Sequence, residues 1–132
     1  MFRTRRTILQ VGLFLFLFIG AANAQPHWAL VAVDGPAPRA IHRMVWDSCR
    51  NVVVLHGGVK DPTHRFGDTW EWNGSQWALR TTTGLGQRLV YGMAFDSDRC
   101  VPVVFGGIDG AGNYMNAPWE WDGTTWTQKG IG

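Results

Sequence analysis

The feature that most constrains this chain is an internal repeat with a spacing of 49 residues. Aligned without a gap, residues 39–77 and 88–126 are identical at fourteen of thirty-nine positions. The identical positions include an adjacent pair of glycines, a Trp-Glu-Trp tripeptide and a closing tryptophan. They are Gly57, Gly58, Trp70, Trp72 and Trp77 in the first unit and Gly106, Gly107, Trp119, Trp121 and Trp126 in the second. Because copies of a repeat share their local structure, the fold must contain the same substructure twice.

Each unit has the pattern of short β-strands separated by turns. In the first unit the apolar runs predict strands over 40–46, 51–55, 68–72 and 76–80. Asp47 is suited to the first turn, since its side chain can hydrogen-bond to nearby backbone. Asn73-Gly74, and Asp122-Gly123 in the second unit, predict two-residue hairpins with positive φ at both residues. With no helical period anywhere, the sequence predicts an all-β fold with four antiparallel strands in each unit.

The combination of these motifs resembles the Kelch repeat. The resemblance is to the exported bacterial kind related to the central domain of galactose oxidase, and it covers about residues 27–128. It implies a β-propeller in which each repeat is one four-stranded blade. The blade units would be about 39–83 and 88–130, with a partial N-terminal strand at 27–33. Since propellers of this family usually contain about six or seven blades, we expect an incomplete propeller of about two blades plus one strand.

The second unit departs from the Kelch pattern at two points. Pro102 stands in its second strand, where the missing N–H removes a hydrogen bond of the ladder. Ala117-Pro118 replaces Asp68-Thr69. Two blades cannot close a ring, so the chain is a remnant of a longer array, a homo-oligomer such as three chains that complete a propeller, or a stand-alone module. We expect the remnant, because the chain starts and stops inside the repeat phase without a capping sequence.

The first 24 residues have the pattern of a secretory signal peptide. Three arginines form a positive start, an apolar run follows over 8–19, and Ala22-Asn23-Ala24 offers small residues for cleavage after Ala24. The apolar run is shorter than the ~20 residues that span a bilayer, which disfavours the alternative of an uncleaved anchor. We therefore expect a secreted or periplasmic protein that is not attached to a membrane after cleavage.

The charge of the chain changes when the signal peptide is removed. The whole chain has a net charge of +2, but residues 25–132 retain nine basic and ten acidic residues, a net charge of −1. A nucleic-acid partner is not expected, because such binding needs a concentrated basic surface.

The eight tryptophans are either a platform on which carbohydrates stack or the packing layer between blades. All except Trp46 recur at the same phase of the repeat. Recurrence favours packing, since every blade must bury the same face. Trp46 and its counterpart Phe95 are also expected to lie in the core.

The two cysteines, Cys49 and Cys100, lie in or just after the first turn of their units. An exported chain with two cysteines favours a disulfide. However, their phases differ by two positions, and a Cα separation above ~7 Å would prevent the bond. The sequence leaves both the bridge and two free thiols open.

The loops 59–67 and 108–116 are the candidate contact surface. They do not resemble each other, and divergence inside a repeat marks loops that are free to take on binding, as well as loops under no constraint. Their candidate ligand-contacting side chains are Lys60, His64, Arg65, Asp109, Asn113 and Tyr114.

No motif indicates catalysis, a metal or a cofactor. The copper site of galactose oxidases needs two Tyr, two His and a Tyr-linked Cys, but the only tyrosines here are Tyr91 and Tyr114, and no residue matches the catalytic motif. His56 stands where the second unit has Phe105, so we expect it to be packed. The function predicted is a non-catalytic scaffold for a protein or glycan ligand. The alternatives are a truncated part of a galactose-oxidase-like or other carbohydrate-active propeller enzyme, and a non-functional repeat remnant.

Overall fold

The computed structural model describes residue 30 and residues 34–130. These residues form strands and turns, and they include no helix able to cross a membrane. The predicted signal peptide, 1–24, lies outside the described residues, as does the predicted strand at 27–33 apart from Leu30, which is exposed and in no strand. The strands are β1 Arg43–Asp47, β2 Val52–His56, β3 Val59–Asp61, β4 His64–Arg65, β5 Thr69–Trp72, β6 Trp77–Thr81, β7 Arg88–Leu89, β8 Gly92–Asp96, β9 Val101–Phe105, β10 Ile108–Asp109, β11 Trp119–Trp121 and β12 Trp126–Gln128.

The strands form two four-stranded sheets of the same topology, one from each repeat unit. Unit 1 has the order β1-β2-β5-β6 and unit 2 the order β8-β9-β11-β12, with antiparallel pairing throughout. Two small pairs, β3-β4 and β7-β10, lie outside these sheets. The prediction of an all-β fold with antiparallel four-stranded sheets is confirmed.

The first strand begins at Arg43, three residues later than predicted. Ala40 instead forms an isolated antiparallel bridge with Val59. The next residue, Ile41, has a φ of 59°, and this left-handed conformation interrupts the extended strand. Asp47 forms the predicted turn, because its Oδ1 accepts hydrogen bonds from the backbone N–H groups of Cys49 and Arg50.

The hairpin turn after β5 is shifted by one residue from the prediction. The backbone N–H of Asn73 donates to the carbonyl of Gln76, so Gly74 and Ser75 are the central residues. Gly74 has a φ of 97°, but Asn73 does not have positive φ. The expectation of positive φ at Asn73 is wrong because its side-chain Oδ1 accepts from the N–H groups of Ser75 and Gln76, which makes it the residue that precedes the turn.

Pro102 lies in the central strand β9, and the sheet adjusts around it. Its neighbour β11 pairs with β9 only at Val103 and Val104, whereas in unit 1 the equivalent pairing extends to Val53 and Trp72. The ladder therefore ends before the residue that has no N–H to contribute.

Each sheet has two chemically different faces. We call the face that carries both tryptophans of Trp-Glu-Trp the Trp face, and the face that carries the glutamate the Glu face, since side chains alternate along a strand. The Trp face of unit 2 packs on the Glu face of unit 1. The apolar core of the contact between the two sheets contains Val52, Val54, Leu85, Tyr91, Val104, Trp121 and Trp126.

The tryptophans are buried unequally. Trp121 and Trp126 are buried in the contact between the sheets, but the equivalent Trp72 and Trp77 are half-buried, because no sheet covers the Trp face of unit 1 among residues 34–130. The expectation that Trp46 lies in the core is wrong: its side chain is on this uncovered face and is 51% exposed.

A disulfide joins the two units. The structure bonds Cys49 to Cys100, with their Cα atoms 5.8 Å apart. Cys100 has a φ of 56°, and its repeat equivalent Asn51 has a φ of 54°, so this backbone conformation is a shared feature of the first turn. Of the two alternatives that the sequence left open, the structure contains the bridge.

Replacing Cys49 and Cys100 with serine is expected to lower the free energy of unfolding by about 4 kcal/mol, because the bond closes a loop with a sequence separation of 51 in the unfolded chain. Denaturant unfolding of the protein without reductant measures this. The two single variants should lose as much as the double variant, and labelling of two thiols in the unreduced wild type would contradict the prediction.

Candidate functional site

The structure brings the two predicted contact loops together. The guanidinium of Arg65 donates to the backbone carbonyl of Asp109 at 3.3 Å. The side-chain amide of Gln87 donates to the carbonyl of Arg65 at 3.1 Å. Loops 59–67 and 108–116 therefore form one surface, which we call the loop surface.

The carboxylates of the loop surface are engaged in holding the loops. Asp61 accepts from the hydroxyl and N–H of Thr63, and from the imidazole Nδ1 and the N–H of His64, and these bonds hold its pKa well below the usual range. Asp109 accepts from the side-chain amide and backbone N–H of Asn113, which also lower its pKa. Asp109 and Asn113, both candidate ligand contacts from the sequence, are thus bonded to each other and organise the turn of their loop.

The remaining candidates present hydrogen-bond donors and an aromatic ring. Tyr114 is 86% exposed and Lys60 is also exposed. The side chain of His64 is 70% exposed. Beside Lys60 lies an open groove of about 370 Å³, whose lining residues are Ala37, Pro38, Arg39, Ala40, Val59 and Lys60. The surface therefore offers the ammonium of Lys60 and the aromatic face of Tyr114.

An ion pair closes the base of the first loop. Arg39 donates two bonds to the carboxylate of Asp68, at 2.6 and 2.9 Å, and one to the carbonyl of Gly57. The indole N–H of Trp70 donates to the same carboxylate at 2.6 Å. Burial alone would raise the pKa of Asp68, but the bonds from Arg39 and Trp70 outweigh it and lower the pKa.

The base of the second loop lacks this carboxylate. Arg88 donates to the carbonyl of Gly106, as Arg39 does to Gly57, but Ala117 stands where unit 1 has Asp68. As a result, Nε of Arg88 and the indole nitrogen of Trp119 are buried with no hydrogen-bond partner in the described part of the chain. Burial lowers the pKa of Arg88.

A row of hydrogen bonds runs through the contact between the sheets. The indole N–H of Trp126 donates to the hydroxyl of Thr69 at 2.8 Å, and this hydroxyl contacts Nδ1 of His56 at 3.0 Å. Nε2 of His56 lies 3.1 Å from the carbonyl of Gly86. Because a carbonyl only accepts, Nε2 carries the proton and Nδ1 accepts from Thr69. Burial lowers the pKa of His56 to about 4, so the imidazole is neutral and structural.

The two tyrosines have opposite environments, one buried and one exposed. Tyr91 is buried and donates its hydroxyl to the carbonyl of His56 at 2.8 Å, and burial raises its pKa. Tyr114 is exposed on the loop surface. Among residues 30 and 34–130, no three His, Cys, Asp or Glu side chains are close enough together to hold a metal ion.

Comparison of the sequence with protein-family models and with curated proteins finds no match.

Some of these features could be read from the sequence and others could not. The Asp68 to Ala117 difference is visible in the repeat alignment, and the structure shows that it orphans Arg88 and Trp119. No sequence signal paired Arg65 with the backbone of Asp109, since a guanidinium can reach any exposed carbonyl and the two loops are unlike each other.

The His56 row predicts a loss of stability in mild acid. His56 has a lower pKa in the folded protein than in the unfolded chain, so the unfolded state binds the proton more readily. The free energy of unfolding is therefore undiminished above about pH 6.5. It falls by an amount on the order of 3 kcal/mol as the pH is lowered through and below about 4.

Urea unfolding at pH 7 and at pH 4.5 checks this expectation. The matched control is His56→Phe, which carries the residue of the second unit and should have a smaller difference between the two pH values. Equal differences in the wild type and the variant would contradict the role of His56.

Ala117→Asp is expected to stabilise the protein by about 1–2 kcal/mol, because a carboxylate there would pair with Arg88 and Trp119 as Asp68 pairs with Arg39 and Trp70. The unfolding midpoint measures the gain. Ala117→Asn, of similar size but uncharged, should gain less, and a lower midpoint for the aspartate variant would refute the pairing.

Proposed function

We propose that this chain is an exported Kelch-type repeat protein and that it acts as a non-catalytic binding scaffold. Each four-stranded sheet is one blade of a β-propeller. The shared strand order and the stacking of the Trp face of one sheet on the Glu face of the other support this proposal, because both are expected of neighbouring blades.

The observation that carries the binding function is the junction of two unlike loops. Arg65 and Asp109 come from different units, and their hydrogen bond joins the loops into a surface that neither unit has alone. The strands of the two units repeat each other, so this junction is where the protein differs most from a plain repeat.

The chemistry of the loop surface favours an acceptor-rich ligand. Its carboxylates are engaged by donors of their own loops, which include the imidazole of His64, while Lys60 remains exposed. Tyr114 adds a ring on which a sugar can stack. Of the two ligand classes, protein and carbohydrate, an acidic carbohydrate combines the required acceptors with a stacking surface.

Polygalacturonate as an acidic polysaccharide, dextran as a neutral one and a polyglutamate peptide are the probes for this proposal. Affinity electrophoresis or calorimetry should show binding of polygalacturonate that weakens as salt rises, since screening reduces the ionic contribution. Binding of polyglutamate alone would make the ligand a protein. Release of hydrogen peroxide from sugars in the presence of copper would overturn the non-catalytic role.

Tyr114→Ala is expected to weaken binding of polygalacturonate by about 5- to 10-fold, which corresponds to the loss of one stacking contact of about 1 kcal/mol. Thr82→Ala is the matched control, because Thr82 is exposed on the connection that follows β6. If the tyrosine variant binds as tightly as the control, the loop surface is not the binding site.

A further inference from the structure

Each sheet leaves one face without a partner among residues 34–130. The Trp face of unit 1 is the larger apolar surface: Met44, Trp46 and Leu79 lie on it with 47%, 51% and 49% exposure. On the Glu face of unit 2, Phe105 is 57% exposed. Large apolar side chains left half in water on a sheet face indicate a surface that another molecule covers.

These two faces are the counterparts of the two faces already in contact inside the chain. Inside, the indole of Trp121 on a Trp face donates to Glu71 on a Glu face at 2.9 Å. The repeat equivalents on the uncovered faces are Trp72 and Glu120. Trp72 and Trp77 keep the mutual packing of the internal pair: their rings are 5.5 Å apart, and those of Trp121 and Trp126 are 5.3 Å apart.

The acidic side of the contact is also reproduced. Glu71 accepts from Arg50 and from Arg80, and Glu120 accepts from Arg99 and lies 3.4 Å from the ammonium of Lys129. In both units the first arginine also pairs with an aspartate of the first turn. The uncovered Glu face is therefore prepared to receive an indole N–H in the same way as the covered one.

The segments that lead into the two units match as well. A Cβ on Gly84 would lie 3.1 Å from Trp126, and one on Gly35 would lie 2.7 Å from Trp77, so the chain crosses the closing indole at the same place in both units. This segment leaves the exposed side of Met44, Trp46 and Leu79 uncovered.

We propose that a second copy of this chain docks head-to-tail, with the Trp face of unit 1 in one copy packed on the Glu face of unit 2 in the other. The contact repeats the internal one, with Trp72 opposite Glu120. Such a contact joins two different surfaces, so it continues from copy to copy until the assembly closes into a ring or remains an open string. The contact is formed by the sheet faces and does not depend on the proposed function. Because it repeats the internal contact, it also places loop 108–116 of one copy beside loop 59–67 of the next.

Four substitutions bear on the difference between the docking contact and the internal one. Phe105 replaces His56 and Pro118 replaces Thr69, so the acceptor that Trp126 finds inside is absent for Trp77. Asp98 and Asn51 stand at the positions equivalent to Cys49 and Cys100. The contact between copies therefore lacks the covalent bond and is reversible.

The replacement of the two cysteines by Asp98 and Asn51 at the docking contact supplies the decisive experiment. Asn51 has a φ of 54° and Cys100 a φ of 56°, so a cysteine at position 51 would point as Cys100 does. Asp98→Cys and Asn51→Cys are made as separate full-length variants and mixed without reductant. The expected product on a non-reducing gel is a covalent dimer that contains one chain of each variant.

The controls follow from the direction of the contact. Each cysteine variant alone should give little dimer, since position 98 does not meet position 98 in a head-to-tail contact. A Thr82→Cys variant, mixed with Asp98→Cys, should also give little. Equal dimer in all mixtures would overturn the proposal, because it would reflect random oxidation.

Light scattering on size-exclusion fractions provides a second, non-covalent test. Wild-type protein at high concentration should have a mass of two or more chains. Leu79→Glu and Phe105→Glu should each be monomeric, but a mixture of the two should form a dimer, since each retains one intact face. Thr82→Glu is the matched control, because Thr82 is exposed on the connection that follows β6, and it should assemble like the wild type.

Three results would overturn the proposal. One is a wild type that stays monomeric at millimolar concentration. Another is assembly that survives Phe105→Glu but not Leu79→Glu, which would mean that two Trp faces meet each other. The third is a mixture of the two variants that remains monomeric. Circular dichroism and the unfolding midpoint of each variant establish that it is folded.

Discussion

The buried carboxylate of Glu71 is the interaction on which the rest of the structure depends. It is 2% exposed and accepts hydrogen bonds from Arg50, Arg80 and the indole of Trp121. A buried carboxylate without such partners would be strongly destabilising, so the approach of the second sheet and the satisfaction of this charge are coupled. Trp121 brings both its apolar ring and the required N–H, which explains why a tryptophan stands there.

The two units have the same motif, but among residues 34–130 a second sheet covers the Glu face of unit 1 only. The two units differ in sequence at positions on this face. Thr69 and His56 of unit 1 are covered and form a hydrogen-bonded row with Trp126. Their equivalents, Pro118 and Phe105, lie on an uncovered face and have no polar side-chain atom to satisfy. Polar groups on the contact between sheets are thus present where partners exist, in agreement with the cost of burying them unpaired.

The base of the second loop is the exception to this rule. Arg88 is 1% exposed, yet the position that would supply its carboxylate is Ala117. The first loop has a closed ion pair at its base and the second does not, so the two loops of one surface differ in how firmly they are anchored. This difference could be read from the repeat alignment only as a substitution, because burial of the guanidinium depends on the packing of the loop above it.

The sequence by itself determined the all-β class, the two units, their antiparallel sheets and the turn role of Asp47, because alternation, turn chemistry and repetition act over a few residues. It missed the shift of the hairpin at Asn73 and the exposure of Trp46, since the first depends on a side-chain bond and the second on whether another sheet is present. Only the tertiary structure decided which Trp face is covered, that Cys49 reaches Cys100, and that Arg65 meets Asp109. These contacts join residues far apart in the chain, and their geometry is set by how one sheet stacks on the next.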